Sequence, residues 1–269
     1  MTIAEKLTQI AENEPKVFEA GYEKGKAEGG YTEGFNAGKQ LEYDAFWDAY
    51  QQNGTQKNYL GAFSGKGWKA ETFKPKYPIT TTDGAINGTQ MFFHHGVSSY
   101  DFVKHCKENN IVIDFSCFNY LTSCFAYSAI TTLGDIDFKS VTTAIGTYGW
   151  NGAFTGCQSL HTIRKLVFYE TNPEFHTGMF TNCSNLENIT IDGVIAKNGL
   201  NLQWSTKLSK ASYESIRDHT TVMVPISITF SLKGVNKTYE TSEGANDGST
   251  SDEWVNLWKS MGNVTIALA

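Results

Sequence analysis

Ala153-Phe154-Thr155-Gly156-Cys157-Gln158-Ser159-Leu160-His161-Thr162-Ile163 and Met179-Phe180-Thr181-Asn182-Cys183-Ser184-Asn185-Leu186-Glu187-Asn188-Ile189 carry one phrase twice. Phe, Cys, Leu and Ile recur at identical internal spacing, each displaced by 26 residues. A shorter copy precedes them: Phe125, then Ile130, Leu133 and Ile136 in step with Leu160, Ile163 and Leu166. Self-similarity at a fixed period marks stacked units that bury a continuous core only together, so residues 124–194 predict a solenoid. The repeated Phe, Leu and Ile read as its core. Cys157 and Cys183 hold equivalent positions and read as small buried hydrophobes in adjacent coils.

Working outward, Ile111–Phe115, Ile136–Phe138, Ile163–Phe168 and Ile189–Val194 read as successive rungs of one sheet. Two insertions lengthen the coils between them. One, over 145–152, holds Tyr148 and Trp150; the other runs from Phe168 and Tyr169 to His176. Insertions in a repeat array collect on one face, often the binding face, so Tyr148, Trp150, Phe168, Tyr169 and His176 are the expected ligand contact, with local packing of these aromatics as the alternative. After Leu200 the register breaks. Ser209 N-caps a helix through Ile216. Ile226–Leu232 alternates as an edge or cap strand, Glu253–Met261 is a helix ended by Gly262, and Val264–Leu268 is a last strand.

Upstream, Ile3, Leu7, Ile10 and Val17 make one apolar helical stripe. Then come Gly21, Gly25 and Gly29, followed by Gly30, Gly34 and Gly38, each trio spaced by four along one helix side. Each glycine costs about 1 kcal/mol of helix relative to alanine. This passage is therefore either a flexible linker or a helix stable only when packed on another chain. The interleaved Phe18, Tyr22, Tyr31 and Phe35 favour the second, because small-residue faces let backbones approach closely. Ile3, Leu7, Ile10, Val17, Gly21, Gly25, Gly34 and Gly38 are the expected oligomerisation and attachment residues. An amphipathic helix from Leu41 to Tyr50 follows, stopped by Asn53-Gly54.

The expected class is α+β, with an N-terminal helical, coiled-coil-like stalk followed by a short, irregular repeat solenoid with capping elements, which the resemblance given below implies is a leucine-rich-repeat solenoid. Its expected parts are a stalk (1–53), a loop-rich N-terminal cap (54–90), the repeats (91–200) and a C-terminal cap (201–269).

The totals exclude several functions. A net charge of −6 over 269 residues leaves no basic stripe for nucleic acid. No apolar run is long enough to insert in a membrane, and Met1–Leu7 carries no signal-peptide core. The five cysteines are odd in number and widely spaced, which argues against a disulfide framework or a metal knuckle. The six histidines show no metal-ligand spacing, and the adjacent His94-His95 pair reads as surface or packing. No nucleophile elbow, phosphate loop or dinucleotide fingerprint occurs. No catalytic residue, cofactor or metal is expected, and the chain reads as non-enzymatic.

The Ala-Phe-x-x-Cys-x-x-Leu-x-x-Ile phrase resembles the BspA-like class of leucine-rich repeats over roughly residues 90–200. That resemblance implies a binding scaffold displayed on a cell or particle surface. Tyr22-Glu23-Lys24-Gly25, Glu33-Gly34 and Tyr43-Asp44-Ala45-Phe46-Trp47-Asp48 resemble the N-termini of repeat proteins encoded by bacteriophages and prophages of gut Firmicutes. The stretch from Glu253-Trp254 to Leu268-Ala269 resembles their C-terminal cap. The resemblance implies a virion component, a tail or head fibre or receptor-binding subunit, assembled in the host cytoplasm. Its implied partners are copies of itself (a trimer or dimer through the N-terminal helix), other virion proteins, and a host glycan or protein. The rival readings are a bacterial surface adhesin, an intracellular interaction module, and an enzyme with a site near His94, His95 and His105.

Overall fold

The computed structural model describes residues 44–45, 47–65, 73–96, 98–142, 149–175, 178–239 and 252–269. They divide into two compact units. One gathers the described residues up to Gln56 with Lys74–Ile79 and Ile111–Ile113. In it, residues 47–50 are helical. The Gln51 side chain donates to Tyr77 O (2.8 Å) and accepts from Tyr77 N (2.9 Å), closing a two-bond ring with the backbone. Asp48 accepts from Lys76 Nζ (2.8 Å) and Tyr77 Oη (2.6 Å), which holds its carboxyl below the usual carboxylate range.

The other unit holds all the named strands. They are β1 (Ile86–Asn87), β2 (Tyr100–Asp101), β3 (Phe118–Tyr120), β4 (Ile130–Asp137), β5 (Thr162–Phe168), β6 (Asn188–Gly193), β7 (Leu200–Leu202), β8 (Ile226–Phe230) and β9 (Val264–Leu268). Its helices are α1 (Phe102–Glu108), α2 (Lys210–Asp218), α3 (Leu232–Thr238) and α4 (Asp252–Trp258). Asp101, Ser209 and Ser231 cap α1, α2 and α3, each side chain accepting a first-turn backbone N–H.

These residues overturn the expected fold class. They form an α/β fold with mostly parallel sheets and short helices, α2 being the longest named one at 9 residues. Neither a long N-terminal helical stalk nor a solenoid is present among the described residues. The strands fall into three separate sheets, β1-β3, β2-β4-β5-β6 and β7-β8-β9. Residues 1–43, which carry the expected stalk positions Ile3, Leu7, Ile10, Val17, Gly21, Gly25, Gly34 and Gly38, lie outside the described residues.

The physical reason for the break lies at β6. Thr132, Thr162 and Asn188 stand in register across β4, β5 and β6, so the repeated phrase does align neighbouring strands. The next position is taken by α2. Ser212 Oγ accepts from Ile189 N (2.9 Å) and Ser215 Oγ accepts from Ile191 N (2.8 Å). Three residues apart on a helix, the two hydroxyls share a face and satisfy the edge donors that a further strand would have used. The sheet stops there, and β7 starts another.

Two smaller corrections concern pairing. β4 pairs with β2 rather than with Ile111–Phe115, and Ile113 bridges Ile79. β8 is the middle strand of its sheet, not an edge, because β9 pairs beyond it.

The core is aromatic and ordered by the turns. Phe92, Phe125, Phe154 and Phe180 stack face to face, with successive ring centroids 5.3, 5.7 and 5.2 Å apart. Backbone bonds join the same turns: Phe92 N to Cys124 O (2.7 Å), Phe125 N to Ala153 O (2.8 Å) and Phe154 N to Met179 O (3.0 Å). Each ring is excluded from water, and offset stacking adds about 1 kcal/mol per pair beyond burial.

Candidate binding surface

Every aromatic turn carries two kinds of position. The first points inward, as above. The residue three places after each phenylalanine is also buried, and at three of the four turns it bonds to a carbonyl of the preceding turn. Cys157 Sγ donates to Phe125 O and Cys183 Sγ to Phe154 O, both at 2.9 Å, while His95 Nδ1 bonds Phe63 O at 2.7 Å. Burial pushes the Cys157 thiol up to about 12 and raises Cys124 and Cys183 as well. A thiolate is disfavoured there, so these cysteines are hydrogen-bonded core groups rather than nucleophiles. All five cysteines are free. Burial also lowers His95 to about 4, leaving it neutral at pH 7. His105 is buried and joined to Phe73 O (2.7 Å). Both histidines thus commit a ring nitrogen to a backbone carbonyl, and no group of three or more potential metal ligands exists among the described residues.

The residue two places after each phenylalanine points outward, and there the backbone is left-handed. His94 (φ 54°), Tyr127 (φ 58°), Gly156 (φ 71°) and Asn182 (φ 60°) occupy this column. Glycine meets that geometry without a steric penalty; a bulky side chain is strained by about 1–2 kcal/mol. The chain nevertheless places a histidine and a tyrosine there in adjacent turns. Their rings lie parallel, 4.9 Å apart at 12°, and Phe93 meets both edge-on at 4.4 and 5.8 Å. Tyr127 is 48% exposed and lies over Gly156, where a Cβ would come within 2.3 Å of its ring. Tyr127, held between the His94 ring and Gly156, is thus a supported, half-exposed aromatic side chain, with His94 half-buried beside it. Strain of this kind persists where surrounding structure enforces it and clusters at functional sites.

The predicted contact residues are placed differently. Tyr148 and His176 lie outside the described residues. Trp150 and Phe168 are each 1% exposed. Trp150 stacks on Phe175 (5.0 Å) and crosses Phe138 (4.9 Å), while its indole N–H donates to Glu174 O (3.1 Å). Phe168 stacks on Phe138 at 5.3 Å. Both pack the core and leave a ligand nothing to touch. Tyr169 alone reaches partway out, its hydroxyl donating to Asp137 Oδ2 (3.3 Å); burial, and then the Asp137 charge, raises its pKa.

A second exposed surface runs over β4–β6. Arg164 pairs with Asp135 (2.7 Å) and Lys165 with Asp192 (3.3 Å). Such exposed pairs are worth about 0–1 kcal/mol each. Their charges are already matched to one another, so a ligand would have to break pairs to use them. The aromatic face carries no such opposing cost.

Sequence reading placed His94 only in the rival enzymatic site and missed Tyr127 and Phe93, because that column has no shared residue type: His, Tyr, Gly and Asn. The usable signal was Gly156 and Asn182 in equivalent places, both residue types that tolerate the left-handed region. No protein-family model, no curated protein and no solved structure matches this chain.

Proposed function

We propose that this protein is a non-enzymatic adhesion component of a bacteriophage particle that binds sugar rings on a host surface through the His94–Tyr127 face. The observation that carries the reading is the parallel His94–Tyr127 pair, Tyr127 exposed and His94 half-buried, held in strained left-handed backbone beside Gly156. A pyranose ring presents a flat patch of C–H groups, which the negative face of an aromatic ring attracts. Two fixed rings need little ordering on binding, which limits the entropic cost. Weak contacts of this kind become effective when several copies engage at once, as on a virion. The likeness of both chain ends to phage-encoded proteins supports the virion setting, with other virion proteins as further partners.

The test is binding of the full chain to an array of pyranose oligosaccharides from bacterial cell walls. Selective binding that Tyr127→Ala removes, with unchanged thermal stability, is the expected result. Absence of binding to every pyranose ligand, or binding indifferent to Tyr127, would overturn the reading.

A further inference from the structure

The two long-sheet edges on the α2 and β9 sides are finished in opposite ways. At β6, Ser212 and Ser215 of α2 take the outward N–H groups. At β9, no strand among the described residues pairs with the outer edge. Which groups it offers follows from its inner pairing. Asn263 O accepts from Ile226 N, Ala269 N donates to Phe230 O, and Ala269 O accepts from Leu232 N. Backbone direction alternates along a strand, so residues 263, 265, 267 and 269 turn their N–H and C=O groups onto β8. Val264, Ile266 and Leu268 turn theirs outward, where Val264 N already donates to Met261 O (2.7 Å).

The side chains continue the pattern. In register, Val264, Ile266 and Leu268 extend the layer formed by the buried Ile226, Ile228 and Phe230, yet remain only half-buried. Thr265 and Ala267 are exposed on the opposite face. The strand Val264-Thr265-Ile266-Ala267-Leu268 has no charge, proline or bulge. Those are the devices by which monomeric proteins blunt an open edge.

We infer that β9 is a docking strand for a second copy of this chain, pairing antiparallel to itself about Ile266. A two-fold axis requires the surface to complement itself, and this one does. With Ile266 opposite Ile266 of the second copy, Val264 faces Leu268 and Leu268 faces Val264. The Ile266 pair exchanges two hydrogen bonds, and at each end Leu268 N donates to the facing Val264 O, Val264 N being held by Met261 O. The apolar layer then runs unbroken from one β8 to the other, covering the half-buried Val264, Ile266 and Leu268. Although the chain carries a net −6, this strand is neutral, so self-pairing brings no like charges face to face. This surface is independent of the sugar-binding proposal and of any association through residues 1–43.

The test uses the exposed positions, where a new side chain does not enter the core. In the two-fold register Thr265 faces Ala267 of the second copy. The double variant T265K/A267K therefore sets lysine against lysine twice, whereas T265K/A267E sets lysine against glutamate. Sedimentation equilibrium of the full chain and both variants, with circular dichroism to confirm equal folding, reads the outcome. The expected result is wild-type self-association, weakened about tenfold or more in T265K/A267K and retained in T265K/A267E. A monomeric wild type, equal association of all three, or equal weakening of both variants would each overturn it. Wild-type monomer that gains mass only with an added partner protein would assign the edge to that partner instead.

Discussion

The inner and outer columns of the aromatic turns are built from the same few residues, yet answer to different demands. Phe92, Phe125, Phe154 and Phe180 repeat one residue type because each fills the same slot between its neighbours. His94, Tyr127, Gly156 and Asn182 share only a backbone conformation. The inner column is selected by packing, and any departure from it opens a cavity. The outer column is constrained only by its left-handed backbone, so glycine or asparagine would be the unstrained choice throughout. Aromatic rings at two of its places work against local stability, which directs attention to what the rings do outside the protein.

The sharpest way to break this contrast is to truncate one member of each column. Phe154→Ala removes a fully buried ring sandwiched between Phe125 and Phe180, and is expected to cost about 3–5 kcal/mol. Urea unfolding of the variant beside wild type reads that loss. Tyr127→Gly, two places from a buried phenylalanine, is expected to stay within about 1 kcal/mol of wild type, since relief of backbone strain offsets the lost ring contacts.

A second effect belongs to the inner positions alone. His95 is lowered to about 4 by burial, whereas an unfolded histidine titrates near 6.5. The unfolded chain therefore takes up the proton first as pH falls. The stability contributed by neutral His95 is fully present above about pH 6.5 and declines towards pH 4, by up to about 3 kcal/mol. Unfolding curves between pH 7.5 and 4.5 are expected to show this slope, and His95→Gln, less stable at neutral pH, is expected to flatten it. A slope unchanged by His95→Gln would assign the acid sensitivity elsewhere.

The thiols give a smaller and more local test. Cys157 and Cys183 each donate to the carbonyl of the preceding turn, and their pKa values are raised. Native protein at pH 8 is expected to resist alkylation at both, while unfolded protein reacts. Cys157→Ser keeps a donor in place and is expected to cost about 1 kcal/mol. Ready labelling of Cys157 in the folded protein would contradict its core placement.

The sequence made the inner column legible because packing imposes residue type, and residue type is what a repeat search reads. Phe154, Cys157, Leu160 and Ile163 announced themselves as core by their equal spacing with Phe180, Cys183, Leu186 and Ile189. Where that phrase stops mattering was not legible. Ser212 and Ser215 end the four-stranded sheet with two hydroxyls, and serines on a polar helix face look alike whether or not they meet a strand edge. The inference from repeats to a solenoid failed there, since self-similarity reports local alignment and says nothing about how far the sheet continues. The insertions misled for a related reason. Trp150 and Phe168 were conspicuous as large aromatics outside the repeated phrase, yet size and apolarity also suit them to the core, where they stack with Phe138 and Phe175. Tyr127 was inconspicuous because its importance lies in backbone geometry, which sequence carries only through the glycine and asparagine at equivalent positions.

The most direct measurement is binding of wild-type and Tyr127→Gly protein to the same pyranose array, with thermal unfolding recorded for both. Loss of sugar binding with an unfolding temperature equal to or above that of wild type is expected. Retained binding, or loss accompanied by unfolding, would contradict the assignment of the outer column to ligand contact.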